Sequence, residues 1–206
     1  DGDKCYKITD AVDLLKSLKK TKFDESVEIA LRLGIDPKKS DQLIRGAFSL
    51  PNGTGKKLKV IVFATGENVD VAKKAGAAEA GGEELIKKVR DGWLDFAVAI
   101  SSPELMREVG KLGKVLGPQG TMPSPKSGTV TTEIGQAVKD FLAGKIEYKT
   151  DAGGNVHGLM GKISFSASDL VENIQAFVRH ITGLRPSSVK GTFLLKASIS
   201  STMGPG

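Results

Sequence analysis

Two segments near opposite ends of the chain alternate in polarity, and the segment between them follows a different rule. In KFDESVEIALRLGID (22–36), Phe23, Val27, Ile29, Leu31, Leu33 and Ile35 take one face, while Asp24, Ser26, Glu28 and Arg32 point the other way. In TFLLKASISST (192–202), Phe193, Leu195, Ala197 and Ile199 are set against Lys196, Ser198, Ser200 and Thr202. A period of two with one wet face is what an antiparallel sheet packed on one side produces. KLKVIVFA (57–64) and LDFAVAI (94–100) are instead almost continuously apolar, as strands buried on both faces of a parallel sheet are.

The flanking patterns fit this division. At the N-terminal end, Thr9 is placed to cap a helix carrying Ala11, Leu14, Leu15 and Leu18, and AFSL (47–50) reads as a second short strand. At the C-terminal end, KIEYKTD and NVHGLMGKISF flank the turn AGGN as a hairpin. A helix from Ser168 lines up Leu170, Val171, Ile174, Phe177, Val178 and Ile181. In the middle, helical patterns cover 68–75, 83–90 and 133–142. SSPELMREVGKLGKVL opens with Ser and Pro at helix-entry positions, and TVTT (129–132) reads as a strand. EEL at 83–85 suits a helix N-terminus offsetting its dipole.

Neither end segment has material for a core of its own, so the two are expected to fold together. The expected fold class is α/β (α+β). A discontinuous split β-α-β domain with an antiparallel sheet takes 1–54 and 146–206, and a doubly wound, Rossmann-like three-layer α/β/α domain is inserted over 55–145. Gly53 and Gly55 on the way in, and Gly144 on the way out, are candidate hinge residues, or else they serve tight turns.

Composition narrows the chemistry. Cys5 is the single cysteine, so no intrachain disulfide forms, and with His157 and His180 it makes no zinc spacing. No metal and no cofactor are expected. No apolar run is long enough to span a bilayer, so no membrane partner is expected. The chain shows no signal peptide. It starts without Met and ends at GPG, as a trimmed or processed chain would.

Enzyme signatures fail one by one. TGENVDVA after the first buried strand has one glycine where a dinucleotide site needs three. GTGKK (53–57) has Leu50 where a P-loop needs its first Gly, and Lys57 where Ser or Thr must hold Mg²⁺. No nucleophile elbow appears, and neither histidine has a nucleophile in a recognisable motif nearby. His180, one step from the helix's apolar stripe, reads as a packing or surface residue. LGPQGTMPSPKSGTV (116–130) carries Lys126 as its only charge. The glycine series Gly110, Gly113, Gly117 and Gly120, which runs into this stretch, permits either close backbone packing, with a turn at Gly117-Pro118, or a phosphate-cradling nest. No catalytic constellation emerges, and an enzyme is not expected.

A net charge of +6 and a pI near 9.3 permit a nucleic-acid partner. The outward face of the last strand offers Lys196, Ser198, Ser200 and Thr202, leading into Met203-Gly204. Such a row suits phosphates and ribose 2′-hydroxyls, or it is an ordinary wet strand face. Aromatics make up only 5% of the chain, so any RNA would be read by shape and backbone rather than by a stacking platform. Phe23 alone stands near a strand start where it could meet a ribose or base, although its pattern puts it in the core.

Four motifs, GIDPKKSDQLIRGAFSLPNGTGK (34–56), VGKLGKVLGPQGTMPSPKSGTV (109–130), NVHGLMGKISF (155–165) and ISSTMGPG (199–206), resemble the L-one family of large-subunit ribosomal proteins, bacterial type. The resemblance runs in order over nearly the whole chain. It implies one discontinuous and one inserted domain, the former holding a folded stalk of the large-subunit rRNA. It implies help in releasing deacylated tRNA from the exit site, and repression of the protein's own messenger RNA through an rRNA-like leader. A monomer within the ribosome is implied, in the cytoplasm or in an organelle. Carried over by position, the RNA-binding residues are Lys22, Phe23, Asp151, Thr202, Met203 and Gly204, joined by Lys38, Lys39, Ser40, Gln42 and Arg45 from the second motif. His157 and Lys162 are adjacent candidates, and Ser198 and Ser200 come from the outward row. Gln119, Thr121 and Ser124 depart from the family's usual Arg or Lys, Leu and Asn, so the tighter grip is assigned to the discontinuous domain.

Overall fold

The computed structural model of the chain describes residues 5–18, 21–56 and 58–206. In chain order the elements are helix α1 (Ile8–Ser17), strands β1 (Ser26–Leu33), β2 (Arg45–Ser49) and β3 (Val60–Phe63), helix α2 (Glu67–Lys74), strand β4 (Glu79–Gly81) and helix α3 (Glu83–Arg90). There follow β5 (Val98–Ser101), α4 (Met106–Val109), α5 (Gly113–Gln119), α6 (Ile134–Ala143), β6 (Lys145–Lys149), β7 (Asn155–Lys162), α7 (Ala167–Gly183) and β8 (Leu194–Ser201). Single 3₁₀ turns occupy Pro103–Leu105, Gly110–Leu112 and Pro125–Ser127. The protein is thus of mixed α/β class. The chain divides into two compact units, Asp1–Lys56 with Gly144–Gly206, and Lys57–Ala143.

In the unit that contains both chain ends, β1 is the centre of an antiparallel sheet of order β7-β1-β8, and β2 pairs antiparallel with β6. Val27, Ile29, Leu31 and Leu33 of β1 are buried, as the alternation requires, while Glu28 and Arg32 are exposed. Helices α1 and α7 cover that inner face with Val12, Leu15, Leu170, Ile174, Phe177 and Ile181. Ser166 starts α7 by accepting a hydrogen bond from the Asp169 amide at 3.1 Å, which satisfies one of the helix's orphan donors. Buried Asn173 ties three parts of this unit together. Its Oδ1 accepts from Asn52 N at 3.0 Å, and its Nδ2 donates to Gly53 O at 3.0 Å and Met160 O at 2.8 Å. Met160 is the extra residue where β7 slips against β1 between Val27 and Glu28, so the amide reaches a carbonyl at a break in the ladder.

The unit Lys57–Ala143 holds a parallel sheet of order β4-β3-β5. All four residues of β3 are buried. Ile61 and Phe63 pack with residues of α3, α4 and α5, whereas Val60 and Val62 pack with residues of α2 and α6. Helix α3 has Glu83 and Glu84 in its first turn and Lys87, Lys88 and Arg90 in its last, the arrangement that complements a helix dipole.

Several local expectations are corrected. Helix α1 begins at Ile8 after Lys7, with no side-chain cap, and the Thr9 hydroxyl turns to Asp10 Oδ1. Only Val98–Ile100 of the LDFAVAI stretch, with Ser101 beyond it, forms ladder, and TVTT contributes a single bridge from Val130 to Ser101. Leu195 is 54% exposed, because β8 slips by one residue where Arg32 pairs with Lys196 and Leu33 with Leu194. That bulge hands the inward position to Leu194. Gly117-Pro118 makes no turn but lies inside α5. Gly117 has no Cβ to meet the proline ring, so the helix continues to Gly120, whose φ of 72° ends it.

Candidate nucleic-acid interface

The register of β7-β1-β8 fixes what its outer face displays. Asn155, Arg32 and Lys196 form one row across the three strands, and His157, Ala30 and Ser198 the next. Leu159, Glu28 and Ser200 make a third, and Lys162 and Ser26 a fourth. Thr202 closes that fourth row just past β8, donating its amide to Ser26 O at 3.1 Å while its Oγ1 accepts from Ser26 N at 3.0 Å. The face is therefore basic at the Leu33 end and hydroxylated towards Ser26. The Ser198 and Ser200 hydroxyls make no hydrogen bond to another described residue.

At the Ser26 end, residues from opposite chain ends meet. Lys22 is exposed, Phe23 is 51% exposed and Met203 is 71% exposed. Phe23 does not enter the core that its odd position suggested, because β1 starts at Ser26 and the alternation is not yet running. Lys162 Nζ donates to Ser26 Oγ at 2.9 Å and Asp24 O at 3.3 Å, which holds its charge over the strand start. Gly204 closes a turn by donating its amide to Ser201 O at 3.1 Å. A Cβ at residue 204 would stand 2.4 Å from Ser201 Oγ, so any side chain there requires the Ser201 hydroxyl to turn away.

At the Leu33 end lies the second group. Lys38, Lys39, Ser40 and Arg45 are exposed on or beside the loop between β1 and β2. Gln42 is buried, with Oε1 accepting from Asp36 N at 2.8 Å, so its amide braces the loop rather than facing solvent. Asp151 is likewise engaged within its own turn. Its Oδ1 accepts from Gly153 N and Asn155 N, each at 2.8 Å, its Oδ2 accepts from Asn155 Nδ2 at 3.0 Å, and His157 Nε2 lies 3.3 Å from Oδ2. The Asn155 backbone and side-chain bonds hold this carboxyl well below the usual carboxylate range. The two groups are separated by the length of β1, about 23 Å at the usual strand rise, and the outer face joins them.

Gly53, Gly55 and Gly144 all have positive φ, of 64°, 66° and 112°. A Cβ on Gly144 would lie 2.5 Å from Gly53 Cα, and one on Gly55 2.7 Å from Phe165 Cε1. Gly144 is thus crowded by backbone and Gly55 by the Phe165 ring, and both need the left-handed conformation that glycine allows.

Sequence reasoning missed Glu25. It is a carboxylate with 1% exposure directly beneath the Phe23–Met203 end. The signal was present: Glu25 occupies an odd, inward position in a series that is otherwise apolar.

Nothing on this surface resembles a reaction centre. Among the described residues no group of His, Cys, Asp and Glu could hold a metal ion, and no helix is long and apolar enough to cross a membrane. His180 packs as its sequence position suggested. Its Nε2 bonds Tyr148 Oη at 2.8 Å, its ring stacks on Phe48 at 4.4 Å, and burial lowers its pKa.

The face offers cations and hydroxyls to a ligand, and the comparisons with known proteins show the family to which the chain belongs. The family model of the ribosomal protein L1p/L10e family matches residues 15–205. Large ribosomal subunit protein uL1 of Protochlamydia amoebophila (strain UWE25) is 52% identical over 206 residues, covering 100% of this chain and 87% of the relative. The protein of the same name from Kosmotoga olearia is 50% identical over 100% of this chain and 89% of the relative, and that from Tropheryma whipplei (strain Twist) 52% identical over 99% and 90%. The chain belongs to the ribosomal protein L1p/L10e family, bacterial type, and is a non-enzymatic structural component of the large ribosomal subunit.

Proposed function

We propose that the unit built from both chain ends grips a folded stalk of the large-subunit rRNA, with the outer face of β7-β1-β8 and its Phe23–Met203 end as the contact surface. The observation that carries this reading is the meeting of Lys22 and Phe23 with Thr202, Met203 and Gly204, fixed by the paired Ser26–Thr202 bonds, in a ribosomal family member. Lys22, Lys162, Arg32 and Lys196 answer phosphates. The Ser198, Ser200 and Thr202 hydroxyls are available to ribose 2′-hydroxyls, and Phe23 and Met203 offer apolar surface to a sugar or base. Lys38, Lys39, Ser40 and Arg45 extend the contact at the far end, where Gln42 and Asp151 shape the backbone and His157 flanks the turn.

In this reading residues 1–54 and 146–206 form the RNA-binding domain, and 55–145 an inserted Rossmann-like domain reached through Gly53, Gly55 and Gly144 as hinge positions. The protein acts as a monomer on the ribosome, in the cytoplasm. It assists release of deacylated tRNA from the exit site and represses its own messenger through a site that mimics the rRNA. The resemblance of the four motifs supports these two roles.

The test is a filter-binding titration of the full chain against a folded large-subunit rRNA stalk fragment at several salt concentrations. The expected result is saturable binding, with log K falling linearly against log salt as for a handful of neutralised phosphates. No binding, or a flat salt response, overturns the reading. Competition by the leader of the protein's own messenger tests the repressor role, and crosslinking to exit-site tRNA tests the other.

A further inference from the structure

We propose that Glu25 is the positioning residue of the Phe23–Met203 end, the group that sets the spacing and direction of these two exposed side chains. The assignment rests on the RNA-binding reading above. Glu25 is 1% exposed, and its two carboxylate oxygens go to different chain segments. Oε1 accepts from the Thr21 hydroxyl at 2.5 Å, and Oε2 accepts from the Met203 amide at 3.1 Å. The same Thr21 Oγ1 lies 3.2 Å from Phe23 O, so its single proton, given chiefly to Glu25, is shared with the backbone that carries Phe23. The Glu25 carbonyl in turn accepts from Ile163 N at 2.9 Å, which fixes the carboxylate's base to the end of β7.

The Met203 amide is the donor that the Ser201–Gly204 turn does not use for itself, since Gly204 N closes the turn on Ser201 O. Glu25 takes that amide and thereby sets how far Met203 stands above the sheet. Through Thr21 it does the same for Phe23, 180 positions away in the sequence. The role is geometric: Glu25 is buried and acts through the groups that it holds. A glutamine of the same length can do the same. Its oxygen accepts the Met203 amide, and its NH₂ donates to the Thr21 hydroxyl oxygen, which accepts as readily as it donates.

The test uses the full chain and a folded large-subunit rRNA stalk fragment. Glu25→Gln is expected to bind within threefold of the parent. Glu25→Ala is expected to lose tenfold or more while keeping its circular-dichroism spectrum, and Glu25→Asp, one methylene too short to span both partners, to lose a comparable amount. In a Phe23→Ala/Met203→Ala background, Glu25→Ala should cost less than threefold, because the two side chains through which it acts are gone. Parent-like binding by Glu25→Ala, or a full tenfold loss in both backgrounds, overturns the proposal. If the parent itself fails to bind the fragment, the RNA reading falls, and Glu25 is judged on amide exchange alone. The Met203 amide should be protected in the parent and in Glu25→Gln and exchange quickly in Glu25→Ala, whereas equal exchange in all three overturns the positioning role.

Discussion

Thr202 and Ser26, 176 positions apart in the chain, bind each other twice: the Thr202 amide donates to Ser26 O, and the Ser26 amide donates to Thr202 Oγ1 at 3.0 Å. The hydroxyl oxygen is therefore an acceptor for the protein, and its own proton has only a long 3.4 Å approach to Ser26 O, which leaves it free to turn to a ligand. Thr202→Val keeps the shape and deletes both functions. Urea unfolding should show a loss of about 1 kcal/mol, the net worth of one solvent-accessible hydrogen bond. Affinity for the rRNA fragment should drop further, by roughly 1–3 kcal/mol, since a polar group of the ligand is left without its partner. Thr202→Ser should restore both measurements.

Phe23 and Met203 separate folding from binding. Both are well exposed, at 51% and 71%, and neither belongs to the buried core around Phe177. Phe23→Ala and Met203→Ala should leave the unfolding midpoint within the small range of ordinary surface substitutions. If these groups pack against a ribose or base, each should weaken RNA binding by about 1–3 kcal/mol. Unchanged affinity in both variants would remove this end from the contact surface.

Much of the sheet was legible because alternation reports burial directly, and β1 follows it from Val27 to Leu33. The limits came from features that depend on a partner strand or a loop. The slip at Leu195 is set by the pairing of its neighbours Lys196 and Leu194 with Arg32 and Leu33, so nothing local in LLKAS announces it. Gln42 sits in a polar, lysine-rich loop and reads as a surface residue, yet the loop folds around its amide. Phe23 was misplaced in the opposite sense, since a strand pattern was extended past the residue at which pairing begins. The candidate site was readable in its two halves, KF and TMG, but their junction depends on Glu25, whose odd position was a signal that polarity alone concealed.

Asn173 tests how much one satisfied polar group contributes inside the core. Its side chain is fully buried and serves Asn52 N, Gly53 O and Met160 O. Asn173→Leu has similar volume but leaves these three backbone groups without their partner. A destabilisation of at least ~2 kcal/mol is expected in urea unfolding, because stranded buried donors and acceptors cost more than the bond itself contributes. A neutral result would mean that the 50–54 crossing repacks freely, and that Gly53 is not held by this amide.

Asp151 gives the protein an acid-sensitive turn. Its folded-state pKa is depressed, chiefly by the Asn155 amide and side chain, so the linked stability is fully present above the unfolded carboxyl value of about 4. That stability is lost as pH falls through the lower folded value. Asp151→Asn retains an oxygen acceptor for the Gly153 and Asn155 amides but has no charge to titrate. At pH 7 the variant should be less stable than the parent. The gap should stay constant down to about pH 5 and then narrow steadily as the parent's carboxylate gains its proton in the unfolded chain. Urea unfolding of both proteins from pH 7 to pH 2 measures the two curves. Parallel curves across that range would show that the turn is held by its backbone geometry and not by the ionised carboxylate.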